Sequence, residues 1–213
     1  LVEETAKDAG LTLDMEGYTR AMNEQKTKAT ASWKGSGEKE VSTFYKEFLQ
    51  TSPPTLFEGY GAVEGEGKVL AILKNTAPVE SANAGDEIEF LTDKTPFYGE
   101  SGGQVGDSGQ ASNENVQLEL HDANKPLPGL IVHKAKITQG TLRTGDTLTL
   151  KVNRQTRGDT ALNHSATHLL HAALKEVLGD HIKQAGSLVA SNRLRFDYTH
   201  FSPLTDKERT RIE

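Results

Sequence analysis

Six short runs of alternating apolar and β-branched residues, separated by turn residues, fill the middle of this chain: Thr55–Tyr60, Lys68–Leu73, Asp86–Thr92, Val116–His121, Leu130–Thr138 and Thr147–Val152. Gly85-Asp86 and Gly145-Asp146 stand just before two of them as turn signals. Six short strands with regular breaks predict a small β-barrel.

Helical sequence flanks these runs on both sides. Residues 11–32 contain many helix formers and no proline, with Leu11, Leu13, Met15, Tyr18, Met22 and Ala29 spaced loosely for one face. After the flexible break Gly35-Ser36-Gly37, Val41, Phe44, Tyr45, Phe48 and Leu49 recur at helical spacing, so a second short helix is expected over 40–50 before Pro53-Pro54 ends it. Beyond Asn153 the pattern turns helical again. Asp159 is placed to cap that helix, which runs to about Leu178 and stops at Gly179. Ser187–Ala190 and Arg193–Tyr198 then read as a hairpin turning at Ser191-Asn192, and a last helix begins after Pro203. The expected class is α+β: short N-terminal helices over 1–50, a barrel over 51–155, and over 156–213 the start of an α/β core.

Composition narrows the chemistry. The 213 residues contain no cysteine, which removes disulfides, thiol nucleophiles and Cys-ligated zinc, so any metal must use His, Asp or Glu. With 35% hydrophobic and 25% charged residues, the chain leans polar without the signature of disorder. No apolar run approaches the roughly 20 residues that span a bilayer and no signal segment stands near the start, so a cytoplasmic protein with no membrane partner is expected. Leu1 at the start and an unfinished helix at Glu213 suggest a piece of a longer chain. The net charge of −6 is unevenly spread: residues 52–150 hold 7 basic and 14 acidic groups, residues 151–213 hold 10 and 7. Arg154, Arg157, Arg193 and Arg195 in that basic end could meet phosphates, and a solvated face explains them equally well.

The segment Asn163–His171 reads NHSATHLLH. At about 100° per residue, His164, His168 and His171 share one stripe of a helix. Leu162, Ala166, Leu169, Leu170, Ala173 and Val177 cluster on the other side, so burying that side would turn the histidines toward a cleft or water. Two histidines one turn apart can put two imidazole nitrogens on one zinc, which would activate water or polarise a carbonyl. Ser165 stands where the HExxH proteases need their glutamate, so a metalloprotease is excluded. A polar face whose histidines contact a neighbouring loop is the alternative. His121, His133, His181 and His200 lie near strand or loop positions and read as surface or packing residues.

Residues 95–109, TPFYGESGGQVGDSG, hold five glycines between Gly99 and Gly109. The loop lacks both the Gly-Lys-Ser/Thr of a Walker loop and the GxGxxG spacing of dinucleotide binders. Its density of glycine suits close backbone approach to a ligand, or a plain barrel turn.

Taken together, Pro96-Phe97-Tyr98, Glu100-Ser101-Gly102-Gly103-Gln104, Asp107, the NHSATHLLH segment, Gln184, Gly186-Ser187-Leu188 and Arg195-Phe196-Asp197 closely resemble the editing domains of alanyl-tRNA synthetases, in order and in gaps. The resemblance runs from about Pro54 to the C-terminus, and 1–50 look like the helical segment connecting that family's tRNA-recognition region to its editing domain. It implies a parent that joins alanine to tRNA(Ala) with ATP and Mg, and a region that hydrolyses seryl- or glycyl-tRNA(Ala) formed by mistake. Such a second site is needed because a pocket sized for alanine admits glycine and cannot strongly reject an added hydroxyl. By the same resemblance, His164 and His168 match the first two zinc ligands, and Thr167 and Gln184 match polar residues of the catalytic pocket. Gly102, Gly103, Gln104 and Arg195 would contact substrate. The family completes its zinc site with a Cys and a His further downstream, so these residues supply half a site and the chain alone is expected to bind zinc weakly and hydrolyse poorly. A non-catalytic tRNA-binding module and a stand-alone trans-editing hydrolase are the alternative readings.

Overall fold

The computed structural model describes residues 43–213, together with Asp14 and Gly17; the helix expected over 11–32 and the break at Gly35–Gly37 lie outside them. Residues 42–213 form one compact unit. Its elements are α1 (Thr43–Thr51), β1 (Leu56–Phe57), β2 (Glu64–Lys74), β3 (Ala77–Val79), β4 (Ser81–Asn83), β5 (Glu87–Thr92), β6 (Lys94–Thr95), β7 (Gly109–Ser112), β8 (Val116–Leu127), β9 (Leu130–Arg143), β10 (Thr147–Val152), α2 (Arg154–Leu178), β11 (Gln184–Ala190), β12 (Arg193–Tyr198) and α3 (Asp206–Ile212).

Six strands close on themselves in the order β10-β7-β8-β9-β5-β2, and β2 pairs back to β10, which closes the barrel; the short β3 and β4 add to it on β2 and β9. Every pairing in that circuit is antiparallel. The α+β class with a small barrel is therefore the architecture observed. One strand differs from expectation. Thr55–Tyr60 contributes only the two residues of β1, which pair in parallel with β6 outside the barrel, and the sixth staff is β7, at the end of the glycine-rich loop. Four residues with two small side chains show too little alternation to read as a strand, and β7 forms because β8 and β10 both offer it partners.

Alternation fixes the interior. β8 begins with buried Val116, Leu118 and Leu120 between exposed Gln117 and Glu119, and β10 buries Leu148, Leu150 and Val152. A six-stranded barrel is narrow enough for side chains alone to fill it, and Phe90, Phe97, Leu120, Ile137, Leu148 and Leu150 do so. Each such side chain contributes roughly 1.5–3 kcal/mol relative to exposure. His133 belongs to this core. Its ring stacks on Phe90 and meets Phe97 edge-on, its Nδ1 donates to the Phe90 carbonyl at 3.3 Å, and its Nε2 lies 2.8 Å from Thr95 Oγ1. Burial pushes the imidazole down to about 4, so it is neutral. On the outside, α1 buries Tyr45, whose hydroxyl donates to Glu89 of β5.

Helix α2 starts a turn and a half earlier than Asp159 suggested. Asn153 is its N-cap, accepting from the Thr156 amide at 3.1 Å, and Asp159 instead accepts from Gln155 within the first turns. Its C-terminal end is as expected, with the Gly179 amide donating to the Lys175 carbonyl. The helix is turned part-way from the expected orientation: the histidines face a cleft and Ala166, Leu170, Ala173 and Val177 are half-buried, but the two leucines at the edge of that apolar side are not covered. Leu162 and Leu169 are 70% and 72% exposed, whereas Thr160, Thr167 and Leu174 are the buried positions. Polar residues can face inward here because Thr160 and Thr167 return their hydroxyls to the Thr156 and Asn163 carbonyls, both at 2.8 Å. Asn163 in turn donates to the Ala190 and Ser191 carbonyls at the hairpin turn. Among the described residues, no helix is long and apolar enough to cross a membrane.

Candidate functional site

The glycine-rich loop joins barrel and helix. At one end the Glu100 amide donates to the Ala123 carbonyl of β8, and at the other Val105 and Gly103 exchange backbone hydrogen bonds with Val189 of β11. The loop thus runs as a short extra strand beside the β11–β12 hairpin. Gly103 is required there: its φ is +86°, and a Cβ would stand 2.7 Å from the Ser187 carbonyl oxygen.

A charged clamp holds the start of α2 against this loop. Arg157 pairs with Asp107, and its guanidinium also donates to the carbonyls of Gly59 at 2.9 Å and Pro96 at 2.7 Å. Asp107 accepts in addition from the Tyr98 amide at 2.6 Å. Arg157, one of the arginines considered for phosphate, is therefore committed inside the protein. Nothing in its charge count separates the two uses; its spacing from a carboxylate 50 positions away appears only in the fold.

Two helical turns beyond Arg157, His164 and His168 project side by side with their Nε2 atoms 3.1 Å apart. Gln104 Oε1 lies 2.7 Å from His164 Nδ1. An amide oxygen only accepts, so Nδ1 bears the proton and the His164 Nε2 lone pair is turned toward His168. That is the tautomer and the outer-sphere support a metal-binding histidine takes. Two nitrogens bound at 2.0–2.1 Å to one tetrahedral zinc stand about 3.3 Å apart, so the pair fits two of its four positions. Without a cation, a proton on His168 Nε2 bridges the rings. Among the described residues no three His, Cys, Asp or Glu side chains gather on one point, and His171 does not join the pair.

The two imidazoles form one wall of a cleft of about 160 Å³. Ser101, Gly102 and Gln104 from the loop, Thr167 and His171 from α2, and Gln184 and Ser187 from β11 also line it. Thr167 offers lone pairs, its proton being engaged by Asn163. Gln184 donates to Ser187 Oγ at 3.1 Å, which leaves its amide oxygen available. Gly103 shapes the loop behind the lining. Arg195 does not line the cleft; it is exposed and donates from Nε to both Asp197 oxygens on its own strand. Tyr98, Ser187 and Phe196 line the cleft without having been assigned to it from sequence: Ser187 and Phe196 face each other across the hairpin, and only the loop–hairpin pairing brings Tyr98 to them.

Comparison with known proteins gives a consistent picture. Residues 1–156 match the profile of tRNA synthetases class II (A). Over its whole length the chain is 46% identical to an alanine–tRNA ligase of Sphingopyxis alaskensis, 48% to one of Xanthomonas campestris pv. campestris and 45% to one of Pelotomaculum thermopropionicum. It spans about a quarter of the length of these relatives, 24% of each.

Proposed function

This chain belongs to the alanyl-tRNA synthetase family of class II (A) tRNA synthetases, and from that premise we propose that it is the zinc-side part of an editing site that hydrolyses seryl- and glycyl-tRNA(Ala). The observation that carries the reading is the convergence of His164 and His168 Nε2 at 3.1 Å, with Gln104 holding the tautomer that leaves a lone pair for a cation. Zinc bound there would supply Lewis acidity at the ester carbonyl or to a water. The residues present fit two of its ligands, and a Cys and a His of the intact enzyme would complete the set. Around that point, the Ser101–Gln104 loop roofs the ester end, while Thr167 and Gln184 present acceptors that a seryl hydroxyl satisfies and an alanyl methyl does not. The parent enzyme would use ATP and Mg in a separate domain to charge tRNA(Ala), and work in the cytoplasm.

Two measurements test this. In the intact ligase, His164→Ala is expected to abolish deacylation of seryl-tRNA(Ala) while tRNA affinity stays within a few fold. Loss of affinity with hydrolysis intact would instead establish a non-catalytic RNA-binding module. In the isolated chain, the pair alone is expected to hold zinc too weakly to survive dialysis.

A further inference from the structure

A second pair of histidines converges outside the cleft. His181 lies in the segment between α2 and β11, and His200 just after β12, and the two segments meet at the open end of the hairpin. His181 Nε2 and His200 Nδ1 are 3.0 Å apart. Three hydrogen bonds fix the backbone beneath them: the Thr199 amide donates to the Lys183 carbonyl at 3.1 Å, the Lys183 amide to Thr199 Oγ1 at 3.3 Å, and Thr199 Oγ1 to the His181 carbonyl at 3.4 Å. Fully buried Ile182 anchors the segment between those bonds. Phe201 lies flat against His181 at 5.5 Å between ring centres.

We propose that His181 and His200 form a surface site for a borderline divalent transition-metal ion, copper(II) or nickel(II) first, that staples the segment after α2 to the end of β12. With metal–nitrogen distances of about 2.0–2.1 Å, neighbouring imidazoles stand roughly 2.9 Å apart on a square or octahedral ion and roughly 3.3 Å apart on a tetrahedral one. The observed separation lies between the two values, so the pair can span either geometry, and the affinity order of imidazole sites for divalent ions puts copper(II) first. The chelating nitrogens come from residues 19 apart, brought together by the hydrogen bonds that Thr199 makes to Lys183 and His181, so the two rings already meet before an ion arrives. His181 is exposed, so water can complete the coordination sphere. This site is independent of the editing reading. It also means that metal content measured on the whole chain counts two imidazole pairs, and only site-resolved binding reports on the cleft.

The test uses the isolated chain and nickel(II) chloride alone. A His164→Ala/His168→Ala variant removes the cleft pair and is expected to retain one saturable equivalent by calorimetry. Adding His200→Ala is expected to weaken that binding tenfold or more, since even loss of an outer-sphere partner costs roughly 10–100-fold. On the unmodified chain, which removes any question of variant folding, substoichiometric copper(II) is expected to broaden the NMR signals of His181, Thr199, His200 and Phe201. Absence of binding in the cleft-pair variant, indifference to His200→Ala, or broadening confined to Gln104, His164 and His168 would each overturn the proposal and leave a plain imidazole hydrogen bond.

Discussion

His133 gives the most quantitative expectation. In the barrel its neutral ring satisfies both nitrogens, one on the Phe90 carbonyl and one on the Thr95 hydroxyl, with no carboxylate beside it to welcome a second proton. Burial holds it at about 4, against 6.5 for the free side chain. Below pH 6.5 the unfolded chain therefore takes up a proton that the folded chain refuses, and stability falls as pH drops from about 6.5 to about 4, with no further loss from this group below that. At about 1.36 kcal/mol per pH unit the full loss is about 3 kcal/mol, of which about 2 kcal/mol has appeared by pH 5. Urea denaturation of the wild-type chain and of His133→Leu at pH 7 and pH 5 isolates this contribution, because every other titrating group cancels in the difference. The variant is expected to be less stable at pH 7, having lost the ring's hydrogen bonds to the Phe90 carbonyl and the Thr95 hydroxyl, yet it should lose about 2 kcal/mol less on acidification. Equal losses in the two proteins, or His133 ring signals that titrate near 6.5 by NMR, would refute the reasoning.

Two further outcomes follow from the elements that frame the cleft. Gly103→Ala forces a left-handed conformation on an L-residue and drives its methyl onto the Ser187 carbonyl; a loss of roughly 1–3 kcal/mol is expected, with faster hydrogen exchange at Val105 and Val189, and unchanged exchange there would contradict the loop–hairpin pairing. Arg157→Met leaves the nearly buried Asp107 carboxylate with only the Tyr98 amide as a hydrogen-bond donor, and a loss of roughly 3 kcal/mol in chemical denaturation is expected, exceeding that of Asp107→Asn/Arg157→Met together; a single variant no less stable than the double would show that the pair does not hold α2 to the barrel.

Alternation made most barrel strands visible, since Val116–His121 and Thr147–Val152 expose every second residue whatever encloses them. The histidine helix was equally visible, and so were its stop at Gly179 and the hairpin that follows. Its outward face was not. Leu162 and Leu169 were expected to be buried on apolarity alone, but α2 packs through Leu174 together with Thr160, Thr167 and Asn163, whose polar atoms are satisfied by its own carbonyls and by the hairpin turn.

Local order thus wrote the helices, the turns and the histidine spacing into the chain, because each depends on residues a few positions apart. Closure of the barrel through β7, the Arg157–Asp107 clamp and the approach of Gln104 to His164 join residues far apart in sequence. Their energies come from partners that exist nearby only once the chain has folded, so no window of sequence contains them.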